Sequence, residues 1–164
     1  MEHLLDLSGI GRNRMQVSWV SSAEGQAFAN YVTQFSEQTR QLGPFDPDEH
    51  KLPLAAVEQT LSTTRIRWLM GMDRQITERE NVYHEKLDVE EYTRIVHKAI
   101  EEEYEKALVL EAIKEAPQLV RDISGRIGLP KPRVSFWLSE LKNSGQAQIK
   151  GYDGTTPKFV TLAA

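Results

Sequence analysis

The sequence predicts an α+β protein, and three observations carry that expectation. Apolar residues recur at spacings of three and four through most of the chain up to Ile113, the mark of amphipathic helices. One short alternating run, Met15 to Val20, lies near the start. Two further strand-like runs close the chain on either side of Asp153-Gly154, a strong hairpin signal. The expected organisation is a partial α/β unit (helix–strand–helix) over 1–45, a helical linker region over 46–103 and a C-terminal module over 104–164.

The first six residues after Met1 contain Leu4, Leu5 and Leu7, the end of a short helix stopped by Gly9. Gly9 and Gly11 precede the alternating run, whereas the glycines of a dinucleotide-binding loop follow a strand, so that loop is excluded. In the run itself Met15, Val17 and Trp19 alternate with Gln16 and Ser18, which predicts a buried strand. Ser21-Ser22-Ala23-Glu24 then has the form of a capping box, in which the Ser21 hydroxyl accepts from the Glu24 amide and the Glu24 carboxylate reaches back. Phe28, Tyr31, Val32, Phe35 and Leu42 line one face of the helix that follows, and Gly43-Pro44 stops it. A lone strand needs neighbours. The chain therefore reads as starting part-way through a domain, its strand completing a sheet that lies upstream or on another subunit.

Phe45 to Lys51 is a polar linker, and Pro53 opens the next helix where its missing N–H costs nothing. Leu54, Val57, Leu61, Trp68 and Leu69 mark its buried side, with Gly71 as its expected end. Arg65, Arg67, Arg74 and Arg79 surround Trp68. They could hold a phosphate, an anionic cofactor or a partner's acidic surface, and Arg65, Arg67, Trp68 and Arg74 are the docking candidates. The alternative is a solvated face paired with Asp73, Glu78 and Glu80. Asp88 with Glu91 caps a long helical run bearing Tyr92, Ile95, Val96, Ala99 and Ile100.

From about Glu105 a new pattern is expected. A first helix carries Ala107, Leu108, Leu110, Ala112 and Ile113, and a second runs from Gln118 to Ile127. After the Gly128-Leu129-Pro130 turn, Lys131 to Asn143 forms a third, with Val134, Leu138 and Leu141 inward. A hairpin of 146–151 and 158–162 follows. Helix, helix, turn, helix and hairpin resemble the winged helix-turn-helix superfamily. Lys131, Arg133, Phe136, Trp137, Lys150 and Lys158 are its candidate partner or DNA contacts. The lysines and arginine suit phosphates, whereas two adjacent, partly exposed aromatics suit a protein interface.

The totals narrow the chemistry. The net charge of −4 argues against a surface coated with nucleic acid, yet from Pro117 onward seven Lys/Arg stand against three Asp/Glu, leaving thirteen and twenty-one in the rest. There is no cysteine, so the chain can supply no thiolate for zinc or an iron–sulfur cluster. The four histidines have no ligand spacing, and no nucleophile elbow or phosphate loop occurs. No catalytic, cofactor-binding or metal residue is assigned, and no activity is expected of the chain alone. No run approaches the ~18 apolar residues that span a membrane, and the start lacks the form of a signal peptide. A cytoplasmic protein is expected.

The opening stretch resembles the C-terminal part of the methyl-viologen-reducing hydrogenase delta subunit family. The resemblance rests on Leu4-Leu5, Gly9-Ile10, Arg12, Arg14, Val17, Trp19-Val20-Ser21, Ala23-Glu24-Gly25, Phe28-Ala29, Val32, Phe35 and Leu42-Gly43-Pro44. It implies an electron conduit between a hydrogenase or formate dehydrogenase and heterodisulfide reductase, with a two-iron two-sulfur cluster on cysteines of the family's amino-terminal part. Those cysteines are absent here, so the cluster, and flavin, are expected on partner subunits. The expected role is a non-catalytic docking subunit or fragment of such a complex. The alternative is a DNA-binding transcriptional regulator.

Overall fold

A computed structural model describes residues 1–162, which contain seven α-helices and one three-stranded antiparallel sheet. The chain divides into two compact units, Met1–Lys51 and Leu52–Ala164.

In the first unit, α1 (Glu2–Leu7) leads into a single 3-10 turn, Arg12–Arg14. Asp6 ties the two together. It accepts from the Arg12 backbone N–H at 2.8 Å and from Nε at 2.6 Å, and these bonds hold its carboxyl below the ordinary range. The run from Met15 to Val20 is not a strand. Met15 adopts extended angles (φ −136°, ψ 137°), but no ladder partner exists for the run among the described residues. Nor is it buried: Val17 is 69% and Trp19 95% exposed. Alternation sets which residues share a face, but only a neighbouring strand makes a ladder.

The capping box forms with one exchange of partner. The Glu24 carboxylate accepts from the Ser21 N–H at 3.0 Å, while the Ser21 hydroxyl takes the Ala23 amide, at 3.4 Å, rather than that of Glu24. α2 (Gly25–Leu42) follows and ends at Gly43, whose φ of 73° is the left-handed value that glycine adopts without a Cβ penalty. Arg14 donates to the carbonyls of Leu42 and Gly43 at 3.3 and 3.2 Å and lies 5.4 Å from the centre of the Phe45 ring. The helix is thus tied at its C-terminal end by Arg14, but no side chain caps its N-terminus, and it buries none of its residues.

In the second unit, the single helix expected from Pro53 to Gly71 is two: α3 (Lys51–Ser62) and α4 (Thr64–Glu78). Thr63 makes the break. Its hydroxyl donates to the Thr60 carbonyl at 2.8 Å and accepts from Ile66 N–H at 3.4 Å, capping α4. Gly71 stays within α4, because a helical glycine costs only about 1 kcal/mol relative to alanine. α5 (Val89–Ala112) is one unbroken helix of 24 residues, so the change of element expected near Glu105 does not occur. Asp88 caps it by accepting from the Glu90 and Glu91 amides at 2.9 and 3.4 Å.

After α5 comes β1 (Gln118–Leu119), where the start of a helix was expected. α6 (Val120–Ile127), α7 (Lys131–Asn143), β2 (Ala147–Asp153) and β3 (Thr156–Thr161) complete the unit. The sheet order is β1-β3-β2, and β2 and β3 are joined at Gly154-Thr155, where Gly154 has φ 59°. Val109 and Ala112 of α5, Ile113 just after it, Ile123 of α6, Val134, Trp137, Leu138 and Leu141 of α7 and Ala147 of β2 form one buried cluster. The spacing of Val134, Leu138 and Leu141 is the one the sequence predicts.

Candidate interaction surfaces

The α7 and hairpin surface differs from the expected one at Trp137, while Phe136 is exposed as expected. Trp137 is only 7% exposed, whereas its neighbour Phe136 is 50% exposed. Adjacent helical residues point about 100° apart, so a pair can straddle the core boundary. The Trp137 Nε1–H donates to Glu105 Oε2 at 2.8 Å. The same oxygen receives Arg133 Nε in a close ion pair, and the guanidinium lies 5.0 Å from the Trp137 ring centre and 5.8 Å from that of Phe136. Glu105 on α5 thus engages the one arginine of α7 and buries the tryptophan beside it. Sequence reasoning missed Glu105, which lies 28 residues before Arg133 and carries no local signal.

What remains for a partner is Lys131 and Lys150, both exposed, and Lys158, half-buried on β3. Among the described residues none of the three has an ion pair. Of the other basic groups nearby, Arg121 pairs with Asp153 at 3.2 Å and Arg126 donates to the Ala112 carbonyl at 3.3 Å.

The arginines around Trp68 do not converge. Arg65 pairs with Glu102 at 2.8 Å and Glu103 at 3.5 Å on α5, chiefly the former, which raises its pKa. Arg74 pairs with Glu78 one turn along α4, at 3.1 Å. That leaves Arg67 and Trp68, both exposed, the latter at 56%. Arg79 borders a concavity of about 910 Å³, beside Met72, Ile76, Lys86 and Leu87 at the end of α4. Tyr92 ties α5 to α4 by donating its hydroxyl to the Leu69 carbonyl.

The first unit has a different kind of surface. Phe28, Tyr31, Val32 and Phe35 of α2 line a groove of about 210 Å³ with Gln16, Ser18 and Val20. Phe28, Tyr31 and Val32 are 60, 41 and 48% exposed, so the apolar face that the sequence marks is present but uncovered.

Among the described residues no group of three or more His, Asp or Glu is placed to hold a metal ion, and no helix is long and apolar enough to cross a membrane.

Residues 1–43 match the family described as methyl-viologen-reducing hydrogenase, delta subunit. The match covers 43 of 164 residues, lies wholly in the first unit and stops at the glycine that ends α2. Neither comparison with curated proteins nor comparison with solved structures finds a match. The cysteine ligation of an iron–sulfur cluster that this family implies does not fit the chain, which has no thiol.

Proposed function

We propose that the chain is a non-catalytic component of a hydrogenase- or heterodisulfide-reductase-type electron-transfer complex, in the cytoplasm, that holds redox subunits in place. The iron–sulfur cluster and flavin of such a complex belong to the partners. The observation that carries this reading is the delta-subunit match over residues 1–43, which falls on a unit whose α2 leaves Phe28, Tyr31 and Val32 exposed. The end of α5 with α6, α7 and the β2–β3 hairpin is read as a winged helix-turn-helix over about 104–164, serving as a protein-docking module beside the unit over 1–45 and the helices between them. Phe136, Lys131 and Lys150 are its proposed contacts, with Arg67 and Trp68 as a second docking point.

Co-expression of the full chain with the cysteine-bearing delta subunit and heterodisulfide reductase subunits tests this. The expected result is a single co-eluting species containing iron and flavin in which this chain is stoichiometric. Elution of the chain apart from every redox subunit contradicts it.

A second reading, a DNA-binding regulator, draws support from the unpaired Lys131 and Lys150. It requires an α7 free to read bases and phosphates, whereas Arg133 is held by Glu105 and Trp137 is buried. Titration of duplex DNA against salt distinguishes the two. Tight binding that weakens steeply with salt and is lost in Lys131→Glu favours the regulator.

A further inference from the structure

We infer that Glu105 sets the selectivity of the second unit's docking face. By occupying Arg133 it keeps α7 from taking the phosphates of a nucleic acid and leaves the face to protein partners. The inference rests on the accessory-subunit reading and names the residue that regulates what this surface accepts.

The sequence marks three cations for this face, Lys131, Arg133 and Lys150. Arginine is the strongest phosphate ligand among them, because its planar fork can donate two parallel bonds to one oxyanion. It is also the one of the three with an ion pair among the described residues. The pairing carboxylate comes from a different helix, since Glu105 lies in α5, 28 residues before Arg133.

The pair has more support than an exposed ion pair, which by itself contributes little. Glu105 Oε2 receives Arg133 Nε and also the Trp137 Nε1–H at 2.8 Å, so the carboxylate is itself anchored. The guanidinium lies 5.0 and 5.8 Å from the ring centres of Trp137 and Phe136, within the range of cation–π attraction. A phosphate must displace this whole arrangement to take the arginine.

Yet the guanidinium is not sealed off. The Arg133 side chain is 41% exposed, and only Nε of its three nitrogens has a partner among the described residues. The two terminal nitrogens stay open to an oxyanion. What opposes one is the carboxylate beside them, which cancels the charge of the arginine and repels the approaching phosphate. Selectivity comes from such a repulsive element as much as from attraction. A protein surface without dense negative charge meets no such repulsion and can still use Phe136, which is exposed.

The test titrates the full chain against a short DNA duplex of mixed sequence, read by fluorescence anisotropy at several salt concentrations. Glu105→Gln removes the charge but keeps an oxygen that can accept from Trp137, so circular dichroism should not change. Its affinity for the duplex should rise about three- to tenfold over the wild type at low salt, and its dependence on log salt should steepen by about 0.9, the mark of one added phosphate contact. Adding Arg133→Gln should remove the gain, because both changes act on one contact. Glu105→Asp keeps the charge but draws it back by one methylene. It should gain less in the same direction, and it carries the test if Glu105→Gln does not fold.

Glu102→Gln is the control. Glu102 lies on the same helix with the same side-chain exposure, 24%, but pairs with Arg65 of α4. The substitution changes net charge equally and should leave duplex affinity unchanged. No gain in either Glu105 variant, an equal gain in Glu102→Gln, or a gain that survives Arg133→Gln overturns the inference and leaves the accessory-subunit reading to the co-elution experiment. Tight, salt-dependent duplex binding by the wild type would mean that Glu105 excludes nothing. It overturns the inference and favours the regulator. Elution of the wild-type chain apart from every redox subunit sinks the accessory-subunit reading by itself, while the duplex titration still decides the role of Glu105.

Discussion

The two units use amphipathic helices to opposite ends. In α7, Val134, Leu138 and Leu141 are at most 1% exposed, packed between α5, α6 and the sheet. In α2, a helix of 18 residues that stops at Gly43, most of the corresponding apolar residues lie open. Apart from Leu4, every buried apolar side chain among the described residues belongs to the second unit. Helix propensity and capping contribute about 0.3–1 kcal/mol each, whereas burial of a core side chain contributes about 1.5–3 kcal/mol. A helix can thus be fully specified locally and still lack what makes it stable. α2 has the local part only, which is what a surface destined for a partner requires.

The contrast can be broken most directly at single core positions. Leu138→Ala should cost about 2–5 kcal/mol in urea unfolding of the full chain, through lost burial and the cavity left behind. Phe28→Ala on α2 should lie within about 0.5 kcal/mol of the wild type. Equal losses would mean that the α2 face is already packed. Next in size is Glu105→Ala. It strands the Trp137 N–H and the Arg133 guanidinium together, and should cost about 1–3 kcal/mol by the same measurement.

Much of the second unit was legible because its signals are local. The spacing of Val134, Leu138 and Leu141 gave the inner face of α7, Asp153-Gly154 gave the hairpin, and Asp88 gave the start of α5. Several of the failures share one cause, which is that long-range partners leave no local mark. Trp137, three residues after Val134 and four before Leu141, lies on the inner face by helical period, with Phe136 about 100° away, whereas its hydrogen-bond partner Glu105 left no local mark. β1 is only Gln118–Leu119 and exists through its pairing with β3 at Phe159 and Lys158. The break at Thr63 needed a side-chain bond to compete with continued helix. Residues 15–20 have the alternation of a strand but no ladder, because a ladder needs a second strand. For the candidate surfaces, charge and residue type picked out the stretches, but Glu105, Glu102 and Glu78 decide which arginines are already paired.

Two smaller effects sharpen the comparison. Asp88→Ala should remove about 1 kcal/mol by uncapping α5, seen as a lower thermal midpoint for the second unit. Tyr104, 5% exposed, has its phenol pushed up to about 12 by burial, from an ordinary 10.0. A raised folded-state pKa contributes stability that is intact below the unfolded value and lost as pH climbs through the folded one. Urea midpoints should therefore hold to about pH 10 and fall between 10 and 12, and part of that fall should vanish in Tyr104→Phe. A wild-type midpoint unchanged across this range would mean that the phenol is not sheltered.

The central claim is that the second unit supports itself and the first awaits a partner. Amide hydrogen exchange on the full chain alone tests it most directly, comparing α2 with α7 under the same conditions. The account predicts that the α7 amides exchange only through global unfolding, while those of α2 open locally and exchange orders of magnitude faster. Protection of α2 equal to that of α7 would contradict it.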